Sequence, residues 1–263
     1  MAPPETQNST PPSRAASETA NAPGNHDARF TVYPHFNASP ARDLAGHKRR
    51  LHQYPRELFP SDDLPDRLAR ALAEARVVHL KELLESFEFF ARVRKRLRSP
   101  TMVDLCAGHG LSGILFALCE REVQRVILVD PHQPETFDAI LAAVVAIAPW
   151  VAPKIEYRIR SLDDPGPIPD GAGTLLVHAC GELTDQGLEL AIATGGPVAA
   201  MPCCYRKAQV GTLRGLKRAL GRELAADIAR SYRLDDAGYQ IDWAAIPRAV
   251  TPMNRILIGW NRS

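Results

Sequence analysis

From residue 102 onward the chain alternates short apolar runs with longer stretches of helical period. The runs are Met102–Cys106, Val126–Asp130, Ile155–Ile159, Thr174–Ala179, Val198–Met201, Tyr239–Trp243 and Ile256–Trp260. Most are near-continuous in Val, Ile, Leu and Ala, as expected of strands buried on both faces. The intervening stretches Leu111–Arg121, Pro134–Ile147, Thr184–Thr194 and Gly211–Tyr232 read as helices, the first amphipathic with Ile114, Leu115 and Leu118 on one face. Alternation of this kind predicts a parallel sheet with helices on both faces. The last two runs lie too close for a crossover helix between them, so they predict an antiparallel hairpin at the end of the sheet.

The chain ahead of the sheet has a different pattern. Leu64, Leu68, Ala71 and Leu72, then Val78, Leu83, Phe87, Phe90 and Val93, recur at helical spacing and predict two helices joined near Arg76–His79. Phe30–Phe59 carries aromatics (Phe30, Tyr33, Phe36, Tyr54, Phe59) among prolines and reads as irregular structure or short helices packed on the main domain, or as part of a substrate platform. Residues 1–28 are rich in Pro, Ser, Thr, Asn and Ala and almost devoid of large apolar side chains, so they read as a disordered tail. The expected organisation is a tail over 1–28, an irregular and helical portion over 29–98, and an α/β domain over 99–263.

Composition narrows the function classes only slightly. The 263 residues carry a net charge of +2, so the overall field favours neither nucleic acid nor acidic partners. No apolar run is long enough to span a bilayer, and the N-terminus has no secretory h-region, so no membrane partner is expected. The five cysteines, none of them in the first hundred residues, do not form a disulfide framework and fit a reducing cytoplasm.

Candidate chemistry gathers at the strand ends. Thr101–Leu118 places Asp104 on the first strand, then a turn over Ala107, Gly108 and Gly110 that backbone can bring close to a ligand, and then a helix. Asp130 ends the second strand, where an acid can accept hydrogen bonds from a ribose diol. This pattern suits S-adenosyl-L-methionine or a dinucleotide. The Asp-x-x-x-Gly-x-Gly form favours the former, while Gly113 completes the Gly-x-Gly-x-x-Gly spacing of the latter and keeps a nicotinamide-dependent oxidoreductase open. Asp163, after the third strand, can accept from an adenine amine. After the fourth strand, His178 and Cys180 share one face if the strand stays extended, and Thr184 is placed to cap the following helix. His178 is a candidate base. After the fifth strand comes Pro202-Cys203-Cys204-Tyr205.

The thiols allow three uses. They can shape a pocket for direct methyl transfer, attack a pyrimidine as thiolates, or bind a metal together with His178. Neighbouring cysteines such as Cys203 and Cys204 diverge in an extended chain, so no metal site is assigned.

Asp104-Leu-Cys-Ala-Gly-His-Gly110, His178-Ala-Cys-Gly181 and Pro202-Cys-Cys-Tyr205 together resemble a methyltransferase-domain family. It contains CHHC-zinc-finger tRNA 2′-O-methyltransferases, ribosome-associated methyltransferase-like proteins and the glutathione S-transferase C-terminal-domain-containing protein. The resemblance spans roughly Glu82 to Trp260 and includes Thr251-Pro-Met-Asn-Arg255. It implies a class I methyltransferase, a Rossmann-like seven-stranded sheet with a helical N-terminal extension. By this resemblance Asp104, Ala107, Gly108, Gly110 and Asp130 hold S-adenosyl-L-methionine, and His178, Cys180, Cys203, Cys204 and Tyr205 line the methyl-transfer side. The zinc-finger cysteines of the tRNA group are missing. RNA leads small molecules and proteins as the expected acceptor, through His47–Arg50, Arg92–Arg98 and Arg206, Lys207, Arg214, Lys217, Arg218 and Arg222. A methyltransferase fold that binds partners without turnover is the alternative.

Overall fold

The computed structural model describes residues 28–38, 51, 55–205 and 212–261. The tail assigned to 1–28 (apart from Ala28), Tyr54, the cluster His47–Arg50, and Arg206 and Lys207 lie outside the described residues. Seven strands, β1 (Thr101–Leu105), β2 (Arg125–Asp130), β3 (Ile155–Ile159), β4 (Gly173–Val177), β5 (Val198–Met201), β6 (Tyr239–Ala245) and β7 (Arg255–Asn261), form one sheet. Their order is β3-β2-β1-β4-β5-β7-β6. The first five are parallel, and β7 pairs antiparallel with both β5 and β6. The antiparallel β6–β7 pair at the end of the sheet is the one expected from the short separation of the last two runs, and with β7 inserted between β5 and β6 the order is that of a class I methyltransferase sheet.

The helices are α1 (Pro55–Leu58), α2 (Leu64–Ala75), α3 (Leu80–Val93), α4 (Leu111–Cys119), α5 (Thr136–Ile147), α6 (Glu182–Thr194), α7 (Arg214–Leu220) and α8 (Arg222–Asp236). The predicted break near Arg76–His79 is present: Arg76 turns left-handed at φ 57° and closes α2. Three expectations are corrected. Gly211–Tyr232 is two helices, because Gly221 adopts φ 80°, ψ 167°, a conformation that interrupts the helical ladder and suits glycine. α4 is not amphipathic, since every residue from Leu111 to Leu118 is buried. Thr184 does not cap α6, which starts at Glu182. It is buried in the first turn, and its hydroxyl donates to Ala179 O at 2.5 Å.

One apolar cluster joins the N-terminal portion to the sheet. Tyr33, Phe59, Leu83, Phe87 and Phe90 share it with Leu111, Leu115 and Phe116 of α4 and with Ile256 and Ile258 of β7. Phe90 meets Phe116 edge to face at 5.0 Å. A buried acid anchors the start of the segment before α1, and the Tyr33 hydroxyl adds a bond to the Pro65 carbonyl. Glu88, fully buried in α3, accepts from the backbone N–H groups of Thr31 and Val32 and from the Thr31 hydroxyl. Arg92 neutralises Glu88 and donates to the carbonyls of Ala245 and Arg29, tying the segment, α3 and β6 together. α3 also reaches the carboxyl end of β4, where Glu85 meets His178. Among the described residues, no helix is long and apolar enough to cross a membrane.

Candidate functional site

At the carboxyl edge of β1 and β4 the chain makes the same unusual move twice. Cys106, the first residue beyond β1, adopts φ 60°, and His178, the first beyond β4, adopts φ 62°. Non-glycine residues pay about 1–3 kcal/mol for such conformations, and outliers of this kind cluster at functional sites. The left-handed turn at His178 also ends β4 at Val177. His178 and Cys180 therefore do not share a strand face, contrary to the expectation from sequence.

Between these turns and α3 lies a cavity of about 330 Å³, within the range typical of ligand pockets. Its walls are Asp104, Cys106, Ala107, Gly108 and His109 from the β1 turn, Val177 and His178 from β4, Ser112 from α4, and Lys81, Glu82, Glu85 and Ser86 from α3. The glycine turn is built for close approach. Gly108 has φ 52°, and a side chain there would project into open space. Gly110 and Gly113 do other work: a Cβ would meet Leu128 at 2.5 Å at Gly110 and at 2.6 Å at Gly113, so both let α4 seat against β2. Gly113 thus has a packing reason independent of any dinucleotide.

The acids of the turn are held differently. Asp130 accepts from Gly108 N and His132 N, both at 3.0 Å, and fixes the loop from below. The Tyr157 hydroxyl, 2.7 Å from the Gly108 carbonyl, holds it from the side. Asp104 is 1% exposed, and its Oδ2 accepts from Gly113 N at 3.0 Å. Its Oδ1 has no hydrogen-bond partner. Burial pushes its carboxyl up to about 7, the Gly113 N–H pulls it down, and the nearby Asp130 charge adds to the rise. A buried acid with an unused oxygen at a cavity wall is an incomplete site.

Across the cavity, His178 Nε2 lies 3.0 Å from Glu85 Oε2. Glu85 also pairs with Lys81 at 2.7 Å. Burial raises the Glu85 carboxyl, but hydrogen bonds and charge from His178 and Lys81 outweigh it and hold the acid below its ordinary value. His109 faces the same space, with Nδ1 accepting from Leu111 N at 3.2 Å. Burial lowers its imidazole, Glu82 opposes this, and His178 adds to the lowering.

Glu85, Lys81 and His109 were not singled out from sequence. His109 lies inside the quoted motif, and its position between two glycines was the available signal. Nothing in the helical period of α3 marks Glu85, apart from its being an acid at a position the period buries.

The remaining sequence candidates lie elsewhere. Asp163 is exposed on the turn after β3, outside the cavity wall. Tyr205 faces α8, with its hydroxyl donating to Asp227 at 2.8 Å. Cys180, Cys203 and Cys204 gather beside His178, their sulfurs within 4.8 Å of one another. Cys203 Sγ and Cys204 Sγ are 3.6 Å apart, so the expectation that neighbouring thiols diverge is overturned: the chain has left β5 and is no longer extended there. The basic stretch after α3 is largely engaged, Arg92 with Glu88, Arg94 with Glu120, and Arg96 over the Trp260 ring at 4.2 Å.

No protein-family model matches this chain, and no curated protein matches it. Solved methyltransferase structures resemble it weakly, at low identity. A Nostoc punctiforme protein provisionally assigned as an O-methyltransferase is 16% identical, with a TM-score of 0.44 over 75% of this chain and 60% of that one. This chain therefore spans less than two thirds of that protein. A Streptococcus thermophilus rRNA methylase is 10% identical, with a TM-score of 0.40 over 62% of this chain and 87% of that one. A geranyl diphosphate methyltransferase solved with S-adenosylmethionine is 13% identical, with a TM-score of 0.44 over 73% of this chain and 90% of that one.

Proposed function

We propose that this chain is an S-adenosyl-L-methionine-dependent methyltransferase whose donor sits in the cavity between the Gly108 turn and α3. The observation that carries the reading is the Asp104 oxygen without a partner, buried at a cavity wall under a glycine turn at the carboxyl edge of the sheet. The residues fit the donor. Gly108 leaves room where a side chain would intrude, and Asp104 offers an acceptor to an ammonium or hydroxyl group. Asp130, already holding the turn, keeps lone pairs for a ribose diol. The bound donor supplies an activated sulfonium methyl group, so the protein's task is alignment and exclusion of water.

His178 is the residue proposed to orient or deprotonate the acceptor. Glu85 fixes its ring through Nε2 and leaves Nδ1 for the acceptor, the logic of a base held by a buried carboxylate. Cys203 is not assigned as a nucleophile: burial, together with the neighbouring Cys180 and Cys204, pushes its thiol well above the ordinary value, so a resting thiolate is disfavoured. RNA is the acceptor we place first, on the exposed cations Arg214, Arg218 and Arg222.

Calorimetric titration with S-adenosylhomocysteine, NAD and NADP tests the donor. The reading predicts micromolar binding of the first alone, weakened about tenfold or more in Asp130→Ala. Binding of a nicotinamide dinucleotide instead, or of none of the three, would overturn it. Labelled methyl transfer to total RNA, compared with protein and small-molecule extracts, then assigns the acceptor.

A further inference from the structure

We propose that Cys180, Cys203 and Cys204 form a binding site for one thiophilic d10 cation, with zinc as the natural occupant. Three thiols from two strand ends meet here. Cys180 Sγ lies 3.1 Å from Cys203 Sγ, Cys203 Sγ lies 3.6 Å from Cys204 Sγ, and all three sulfurs fit within 4.8 Å. A tetrahedral zinc site with bonds of about 2.3 Å separates its sulfurs by roughly 3.8 Å, so shifts of less than about an ångström complete the set. None of the five cysteines is joined in a disulfide.

Packing does not explain these thiols. All five cysteines are half-buried, but Cys119 packs against the larger apolar cluster and Cys106 against the smaller. Cys180, Cys203 and Cys204 belong to neither cluster. The backbone holds them in place beforehand. His178 N donates to Met201 O and Gly181 N to Cys204 O, each at 3.3 Å, lacing the end of β4 to the end of β5. Arg230, 2% exposed, donates to the Gly181 carbonyl on one side of the cluster and pairs with Asp227, which accepts from Tyr205 on the other. The left-handed turn at His178 then brings Cys180 to Cys203.

His178 lies outside the set of ligand atoms that fall within 4.8 Å of one another, and its Nε2 already meets Glu85. The segment 206–211 that follows holds no Cys, His, Asp or Glu. Three protein ligands on a four-coordinate ion leave one position for water or an exogenous ligand, the pattern of an open zinc site. On binding, each thiol gives its proton to solvent and its sulfur to the ion. The site stands apart from the donor reading and does not require it.

The test uses the full chain, reduced and handled without chelators. Metal analysis should give one zinc per chain. Replacement by Co²⁺ should produce a sulfur-to-cobalt charge-transfer band and the strong visible bands of a tetrahedral site. Cys180→Ser, Cys203→Ser and Cys204→Ser should each weaken cobalt binding by more than the roughly hundredfold of an outer-shell change, while Cys119→Ser leaves it unaltered. Should a serine variant fail to fold, mass mapping of alkylation on the wild-type chain carries the test: zinc should protect Cys180, Cys203 and Cys204 together. A reduced chain that takes up no cobalt, bands that persist in Cys203→Ser, or zinc that protects none of the three would overturn the proposal.

Discussion

The buried carboxylates Asp185 and Asp227, on α6 and α8, and the buried Asp104 at the cavity wall are treated in opposite ways. Asp185 and Asp227 are saturated. Asp227 receives Arg255 at 2.8 Å, Arg230 at 3.3 Å and the Tyr205 hydroxyl at 2.8 Å. Asp185 receives Arg230 through two nitrogens, at 3.0 and 3.2 Å. In the cavity, Asp104 receives one backbone N–H, has the Asp130 charge nearby, and keeps one oxygen unused. A saturated network holds the chain in one arrangement, whereas an unsaturated acid at a cavity wall leaves the remaining bonds to a ligand. The first group supports the loops at Gly181 and Tyr205. The second is where recognition is expected.

This contrast orders the mutational effects. Asp227→Ala takes one partner from the buried Arg230, which keeps Asp185, and leaves the Tyr205 hydroxyl and the part-exposed Arg255 without theirs, so chemical denaturation should show a loss of about 1–3 kcal/mol. A loss below about 1 kcal/mol would mean that the network is not the brace it resembles.

Asp104→Asn should act in the other direction and depend on pH. The folded carboxyl titrates at about 7, against 3.8 for the unfolded chain. The folded protein therefore holds a proton that the unfolded chain releases between these values, and stability falls as pH rises through this window. The limiting slope is about 1.4 kcal/mol per pH unit. Melting curves at several pH values should show this fall in the wild type and a flatter profile in the variant, which gains relative to it at neutral pH. Parallel profiles would refute the assignment. The smallest effect belongs to the exposed Arg160–Asp164 pair, where Arg160→Ala should cost less than about 0.5 kcal/mol and serves as the solvent-screened reference.

The sheet was legible because its cues are local. Continuous apolar runs mark strands wherever they occur, and the distance between Tyr239 and Ile256 leaves no room for a crossover helix. The glycine turn was legible for the same reason. What sequence concealed is long-range. Glu85 reaches His178 across 93 positions, and only the approach of α3 to the end of β4 brings them together. The left-handed turn at His178 is not written in its residue type, so the face-sharing inference for His178 and Cys180 failed with it. The convergence of Cys203 and Cys204 depends equally on the chain leaving β5 at Met201. Tyr205, chosen with its neighbours, turned out to face Asp227 because an aspartate on α8 awaited a donor there.

The most direct test is to titrate S-adenosylhomocysteine by calorimetry into the wild type and Asp104→Asn at about pH 6 and about pH 8. The two proteins share every other titrating group, so any difference between them reports this carboxylate. If Asp104 waits for the ligand's ammonium group, wild-type affinity should rise by up to roughly tenfold between the two pH values, with net release of protons. Asp104→Asn should bind more weakly and without that rise. Equal affinities for the two proteins at both pH values, or no binding to either, would contradict the account.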